Sequence, residues 1–304
     1  MVEAASSSRP LIILNPAANR GRMEYHRSLV RRRIEADQAD IAYIETAKVG
    51  EAREFARQAA REGRPIVIVG GDGSLNEVVN GILTSGRVVP LGIVPAGSGN
   101  DYACNTLGLP RDPEAALERA LNGSPLAVDA GIVNGRYFIN AFSVGLDADI
   151  ARAAEILKRY PLMSGARLYY TATLKQLLFA YHRCPRLTFS LDAETAHVEQ
   201  QYVLLAISNG PTYGAGFRIN PRADHTDGYF DVCAILYTPL LRALRLLPRV
   251  KQGRHEGLRE ALFYRARTVQ IEARGPVHLQ IDGEIASAAH IEASILPAAL
   301  QVRV

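Results

Sequence analysis

A chain of 304 residues with 48% hydrophobic and 22% charged side chains has a globular composition and, at about 100–200 residues per domain, room for two domains. That balance excludes a disordered, collagen-like or disulfide-stapled chain, and the longest uncharged stretch, Gln200 to Phe217, is broken by Ser208, Asn209, Gly210 and Pro211 and is no membrane span. A net charge of +4 leaves open an anionic partner: nucleic acid, a membrane surface or phosphate.

No basic stretch followed by an apolar run opens the chain, so no signal peptide is expected, and Ala4-Ala5-Ser6-Ser7-Ser8 reads as a frayed tail. Leu11 to Leu14 is an apolar strand that runs into the turn Asn15-Pro16. Ile41 to Ile44 is a second strand. Ala52, Phe55, Ala56, Ala59 and Ala60 repeat with helical spacing and mark one buried helix face. Pro65 to Val69 is a third strand, Leu75, Val78, Val79, Ile82 and Leu83 a second helix face, and Val88 to Val94 a fourth strand. This alternation predicts an α/β domain over residues 1–127, with a parallel sheet covered by helices and a ligand at the carboxyl ends of the strands.

Beyond residue 127 the pattern turns to β. Val128 to Val133 and Arg136 to Val144 flank Asn134-Gly135, a hairpin signal. Further strands are expected at Arg186–Leu191, Val198–Ile207, Tyr229–Leu236, Thr268–Ala273 and Val277–Ile281, with Gly275-Pro276 as a turn between the last two. Helical segments interrupt them at 148–182 and 239–262. A second, mainly antiparallel domain over 128–304 follows, its chain end free to return to the first. Cys104, Cys184 and Cys233 show no paired spacing and read as reduced thiols filling core positions in a cytosolic protein. The histidines form no zinc pattern.

Two loops carry chemistry. Gly70-Gly71-Asp72-Gly73-Ser74 joins the third strand to a helix; its glycines allow close approach of the backbone to a ligand, and the helix N-terminus offers N–H groups to phosphate. Ser74 with Glu77 also fits a capping box. Pro95-Ala96-Gly97-Ser98-Gly99-Asn100-Asp101 repeats the design after the fourth strand, where Asn100 or Asp101 also fits an N-cap. Together the two loops form a cradle for a polyphosphate. Neither is a Walker A loop or a dinucleotide fingerprint. Downstream, Asp282-Gly283-Glu284 ends a strand with two carboxylates, suited to a general base or a magnesium contact or simply to a turn. Asp224 to Asp231 holds an Asp-Gly turn before a strand.

In this order the motifs resemble the diacylglycerol kinase catalytic-domain superfamily, in particular the soluble bacterial lipid kinases; sphingosine and ceramide kinases are similar. The resemblance runs from Asn15-Pro16 to Glu284. It implies an N-terminal nucleotide domain and a C-terminal β-sandwich domain with the active site between them. It further implies ATP contacts at Asn15, Thr46, Gly70, Gly71, Asp72, Gly73, Ser74, Leu75, Asn76, Gly97, Ser98, Asn100 and Asp101, and catalytic roles for Asp282, Glu284 and Asp72. A structural Mg2+ is implied at the Asp227 carboxylate with the backbone carbonyls of Asp224 and Tyr229. Two positions depart from the pattern: Ser74 replaces the usual Thr, and Asn19 stands where Gly is usual.

The implied reaction is ATP-dependent phosphorylation of a lipid hydroxyl, diacylglycerol first, with a sphingoid base or ceramide as alternative acceptor. An NAD kinase-like enzyme and a non-catalytic lipid-binding protein are the competing readings. Mg2+ linked to Asp72 and Asp101 would bridge phosphate oxygens. Asp282 is expected to take the proton, with Glu284 orienting it or sharing the role. Asp282→Asn should then abolish turnover while leaving the fold and ATP binding intact. Residues 152–186 carry seven Lys/Arg against Glu155, and residues 242–267 eight against Glu256 and Glu260. With the apolar residues between them, these segments predict a cytoplasmic protein at the membrane periphery. The plainer alternative packs Leu174, Leu177, Leu178 and Tyr181 against the second domain. No nucleic-acid partner is expected, and a homodimer is left open.

Overall fold

The computed structural model describes residues 9–36, 40–157, 165–192, 194, 198–214 and 216–304. The N-terminal tail and the middle of the helical segment read at 148–182, which includes Lys158, Arg159, Tyr160, Leu162 and Met163, lie outside the described residues. Two compact units result: residues 1–130 with 296–304, and residues 131–295. The boundary thus falls after Ala130 rather than at 127, and the second unit ends at Ile295.

Unit 1 runs β1 (Leu11–Leu14), α1 (Glu24–Ala36), β2 (Ala42–Glu45), α2 (Glu51–Arg61), β3 (Ile66–Gly70), α3 (Asp72–Ser85), β4 (Pro90–Pro95), α4 (Pro113–Asn122) and most of β5 (Pro125–Val133). The first four strands are parallel in the order β2-β1-β3-β4, with Leu11 beside Ala42 and Ile66, and Ile66 beside Leu91. β-Branched, wholly apolar runs suit strands covered on both faces. Ile12, Leu14, Val67, Val69 and Val94 pack with Leu29 and Val30 of α1 and Ala116, Leu117 and Ala120 of α4. α4 starts where Asp112 accepts the Ala115 N–H at 2.9 Å, with Pro113 in its first turn.

Unit 2 contains β6 (Arg136–Phe138), β7 (Ala141–Gly145), α5 (Leu146–Leu157), α6 (Gly165–Phe179), β8 (Arg186–Leu191), β9 (Gln200–Ser208), β10 (Phe230–Leu236), α7 (Leu240–Lys251), β11 (Ala261–Ala266), β12 (Thr268–Ile281) and the first part of β13 (Glu284–Arg303). Its strands are antiparallel in the order β11-β10-β9-β7-β12-β13, and β8 pairs with both β9 and β12. Phe138, Phe142, Phe189, Tyr202 and Phe230 dominate the core, and the Phe138 ring stacks on Phe230 at 5.6 Å.

Three expectations need correction. Gly275-Pro276 is no turn: it lies inside β12, whose pairing with β13 shifts register between Glu272 and Val277. The bulge absorbs the proline, and the two expected strands are halves of one, paired with β8 and β7 respectively. The helix read at 239–262 stops at Lys251, soon after Pro248, and Gly253 turns left-handed at φ 71° before β11. The second arm of the 128–144 hairpin is split at residues 139–140 into β6 and β7.

Candidate active site

Asn15 follows β1, Thr46 follows β2, Gly70 to Ser74 close β3 and Gly97 to Asp101 follow β4. Because these strands are parallel, all four sets lie at one edge of the sheet. The two glycine loops touch backbone to backbone. A Cβ on Gly97 would lie 2.5 Å from the Gly71 Cα, closer than any side-chain carbon sits. Asp72 opens α3, and its Oδ2 accepts the Asn100 N–H at 2.8 Å. Burial pushes the Asp72 carboxyl above its ordinary value; the Asn100 N–H pulls it down and the Asp101 charge pushes it up again. A side-chain carbon at residue 99 would begin 2.9 Å from Asp72 Oδ2 and 3.9 Å from Asp101 Oδ2, so Gly99 keeps open the gap between two carboxylates. Two repelling carboxylates at a loop cradle fit Mg2+, which takes one or two carboxylates plus phosphate oxygens.

The other residues divide by what their side chains already do. Asn100, left-handed at φ 56°, closes its own loop by accepting the Gly97 N–H at 2.8 Å and donating to the Gly97 carbonyl at 3.0 Å. The Asn15 amide donates to Ser74 Oγ at 2.8 Å and ties the β1 loop to α3. Leu75 and Asn76 are buried in α3, and Asn76 Oδ1 accepts the Asn80 amide at 3.1 Å. Gly73 and Ser98 are exposed, and Thr46 is buried. Asn19 is left-handed at φ 46°, a conformation Asn tolerates. The Ser74–Glu77 capping box does not form. α3 begins at Asp72 with Gly71 as its N-cap, and the Glu77 carboxylate accepts the Gly50 N–H at 3.0 Å, at the start of α2. Asp101 starts a single π-type turn, Asp101–Thr106, a rare element frequent at functional sites.

In unit 2, Asp282-Gly283 joins β12 to β13 with φ 44° and 93°. The Asp282 carboxylate is held by three backbone donors: the N–H of Ile139 at 2.8 Å, of Asn140 at 3.1 Å and of Ala141 at 2.9 Å. It thereby bridges the break between β6 and β7. Asn140 and Asn209 extend the bridge, donating to the carbonyls of Thr212 at 2.9 Å and Ile139 at 2.8 Å. Glu284 opens β13, is exposed, and makes no side-chain hydrogen bond to a described residue. Asp282→Asn would turn an NH2 toward one of these backbone N–H groups, so a loss of stability is expected beside any loss of turnover. Sequence reasoning also missed the polar group under α5. The hydroxyls of Ser143 (2.6 Å) and Tyr213 (3.1 Å) both donate to Asp147 Oδ2, and burial raises the proton affinity of Asp147 and Tyr213. A lone Asp after a Gly-Leu pair gave no signal.

Residues 9–133 match the diacylglycerol kinase catalytic domain, and residues 140–304 match the YegS C-terminal NAD kinase beta sandwich-like domain. A Mycobacterium tuberculosis (strain CDC 1551 / Oshkosh) protein named diacylglycerol kinase is 33% identical over 271 residues, covering 86% of this chain and 84% of that one. The chain belongs to the diacylglycerol kinase family, and so to the lipid kinases. A Bacillus subtilis (strain 168) protein of the same name is 28% identical over 278 residues, covering 91% of this chain and 89% of its own. A solved structure from Bacillus anthracis str. Sterne shares the fold with a TM-score of 0.80 at 21% identity, covering 100% of this chain and 97% of its own.

The resemblance implies a structural magnesium at the Asp227 carboxylate with the backbone carbonyls of Asp224 and Tyr229, and in this structure that carboxylate is engaged by protein partners. Asp227 Oδ2 is ion-paired with Arg265, and its Oδ1 accepts the Tyr229 N–H at 3.0 Å. Asp224 Oδ1 accepts the N–H and hydroxyl of Thr226 at 2.9 and 2.7 Å. Among the described residues no group of three or more His, Cys, Asp or Glu is arranged to hold a metal ion. The guanidiniums of Arg265 and Arg267 each lie 4.7 Å from the centre of the Tyr229 ring, so they supply positive charge at this loop.

Proposed function

We propose that this family member transfers the γ-phosphoryl group of ATP to a lipid hydroxyl, with diacylglycerol as the first acceptor to test. The reading rests above all on the contact between the two glycine loops, with Asp72 and Asp101 flanking Gly99. Loops so arranged bring backbone N–H groups, rather than side chains, to phosphate oxygens. The first turn of α3 leaves N–H groups without intrahelical acceptors, and Gly73, exposed there, lets a phosphate approach them. Bound Mg2+ would neutralise phosphate charge beside Asp72 and Asp101.

For the acceptor we assign the proton to Glu284 and a positioning role to Asp282. Three backbone N–H groups take up most of the accepting capacity of Asp282, whereas Glu284 accepts no side-chain hydrogen bond from a described residue. Phosphoryl transfer through a loose transition state asks little of the base beyond placement, so an ordinary carboxylate suffices. Among the described residues no helix is long and apolar enough to cross a membrane. In our reading the lipid is met at a membrane surface, on the cytoplasmic side where ATP is available. A panel of diacylglycerol, sphingosine, ceramide and NAD with ATP and magnesium in mixed micelles, read by product mass, tests the assignment. A phosphorylated lipid is the expected product. Phosphorylation of NAD alone, or of nothing, would sink the reading.

A further inference from the structure

The acid turn at Asp282 belongs to a closed circuit of polar links within unit 2. Its carboxylate holds the N–H groups of residues 139–141, and its own N–H donates to the Ala141 carbonyl at 3.0 Å. Residues 139–140 are held in turn by the segment after β9. The N–H groups of Asn209 and Gly210 donate to the Asn140 carbonyl at 2.7 and 3.2 Å, and the Asn140 amide donates to the Thr212 carbonyl at 2.9 Å. The next residue, Tyr213, donates its hydroxyl to Asp147 Oδ2 at 3.1 Å, in the first turn of α5. The Ser143 hydroxyl donates to the same oxygen at 2.6 Å, and its Oγ lies 3.3 Å from Gln280 Oε1. Gln280 stands two residues before Asp282 in β12, and there the circuit closes.

The circuit is most deformable just beyond Tyr213. There the chain turns through Gly214 and Gly216, left-handed at φ 64° and 86°, and returns as Phe217, whose N–H and carbonyl pair with those of Tyr213 at 3.1 Å. Tyr213 holds the near side of this tip. Its ring is buried with Ala141, Leu204 and Ile219, but apolar contact is non-directional, and it is the hydroxyl bond to Asp147 that sets where residues 209–213 lie. Burial pushes the Tyr213 hydroxyl well above its ordinary value, so it keeps its proton and stays a donor. Asp147 forms no ion pair among the described residues; the two hydroxyls and the Ala148 N–H at 2.8 Å are its partners. A carboxylate serving two hydroxyls on different elements acts as a joint between β7, the 209–213 segment and α5.

We propose that Tyr213 and Asp147 are positioning residues for the acid turn at 282–284, acting through the segment 209–213. Their purpose rests on the reading of Glu284 as proton acceptor; the circuit itself does not. The test is made on the full chain with two readouts, turnover and amide hydrogen exchange. Tyr213→Phe keeps the buried ring and removes only the hydroxyl. It should lower kcat about tenfold, with the KM for ATP and the melting temperature close to the parent's. Asp147→Ala should lower kcat at least as far, and adding Tyr213→Phe to it should lower it no further, because both cut one link. Asp147→Asn, whose amide oxygen still accepts from the hydroxyls, should recover most of the rate. Without any substrate, the N–H groups of residues 139–141 should exchange about tenfold faster in Tyr213→Phe, with those of β1 to β4 unchanged. Parental exchange at 139–141, or parental kcat in Tyr213→Phe, would overturn the proposal. So would a KM for ATP that rises as kcat falls, a mark of general loosening, or an Asp147→Asn variant as slow as Asp147→Ala. A parent that phosphorylates no lipid would remove the kinase reading alone, and exchange at 139–141 would then decide the circuit by itself.

Discussion

In unit 1 the polar groups at the strand ends are arranged by backbone contacts that only glycine permits. In unit 2 a side chain, Asp282, arranges the backbone. The first arrangement sets the first turn of α3, whose N–H groups have no intrahelical acceptors, beside the exposed Gly73; the second spends its N–H groups on a carboxylate. Similar-looking motifs, a carboxylate among glycines, therefore stand for opposite uses of hydrogen bonding. Asp72 shares features of both, since it clasps the second loop through Asn100 while facing Asp101.

The sharpest test of this contrast is Glu284→Gln. It should lower kcat by about 10²–10⁴-fold, the usual worth of a general base, with no change in melting temperature. Asp282→Asn comes next. Asn tolerates the left-handed turn, so what is lost is an acceptor for one backbone N–H, at about 1–3 kcal/mol of stability. Thermal unfolding should show the drop, and a mutant that melts like the parent would erase the distinction between the two acids. Gly97→Ala should cost about 1–3 kcal/mol through overpacking against Gly71 and weaken nucleotide binding in calorimetry. Gly73→Ala reverses the sign. Nothing lies within 4 Å of its Cβ, so the helix gains up to about 1 kcal/mol while phosphate approach suffers. The smallest effect belongs to Arg265→Gln, whose half-exposed ion pair with Asp227 is worth about 1 kcal/mol at most. Its informative readout is magnesium: the parent's melting temperature should ignore the ion, and the variant's should rise with it.

The sequence was most legible where pattern and chemistry coincide. Leu11 to Leu14 and Pro65 to Val69 are apolar, β-branched and bounded by turn residues, and the strands fall there to within one residue. The glycine loops were legible because glycine is chosen for what the backbone must do, a property that travels with the residue. Gly275-Pro276 misled for the same reason: its local signal is a turn, and only pairing with two different partners keeps β12 in one piece. Asp282 and Glu284 could not be told apart, since two residues of spacing do not reveal which carboxylate meets the N–H groups of 139–141. Asn140 and Asn209 escaped notice because an uncharged amide in an apolar run looks like a loop residue until its partners, some 70 residues away, are seen.

β13 has a consequence for the order in which the protein is made. Its early residues pair with β12 in unit 2, whereas Gln301 and Val302 lie beside Pro90 and Leu91 on the outer side of β4. Between them Ala298 turns left-handed at φ 51° and donates its N–H to the buried Asp129 at 2.7 Å. Unit 1 is therefore finished by residues that follow the whole of unit 2 in the chain. A nascent nucleotide domain on the ribosome carries β4 as an uncapped strand edge, open to mispairing, until some two hundred further residues have been synthesised.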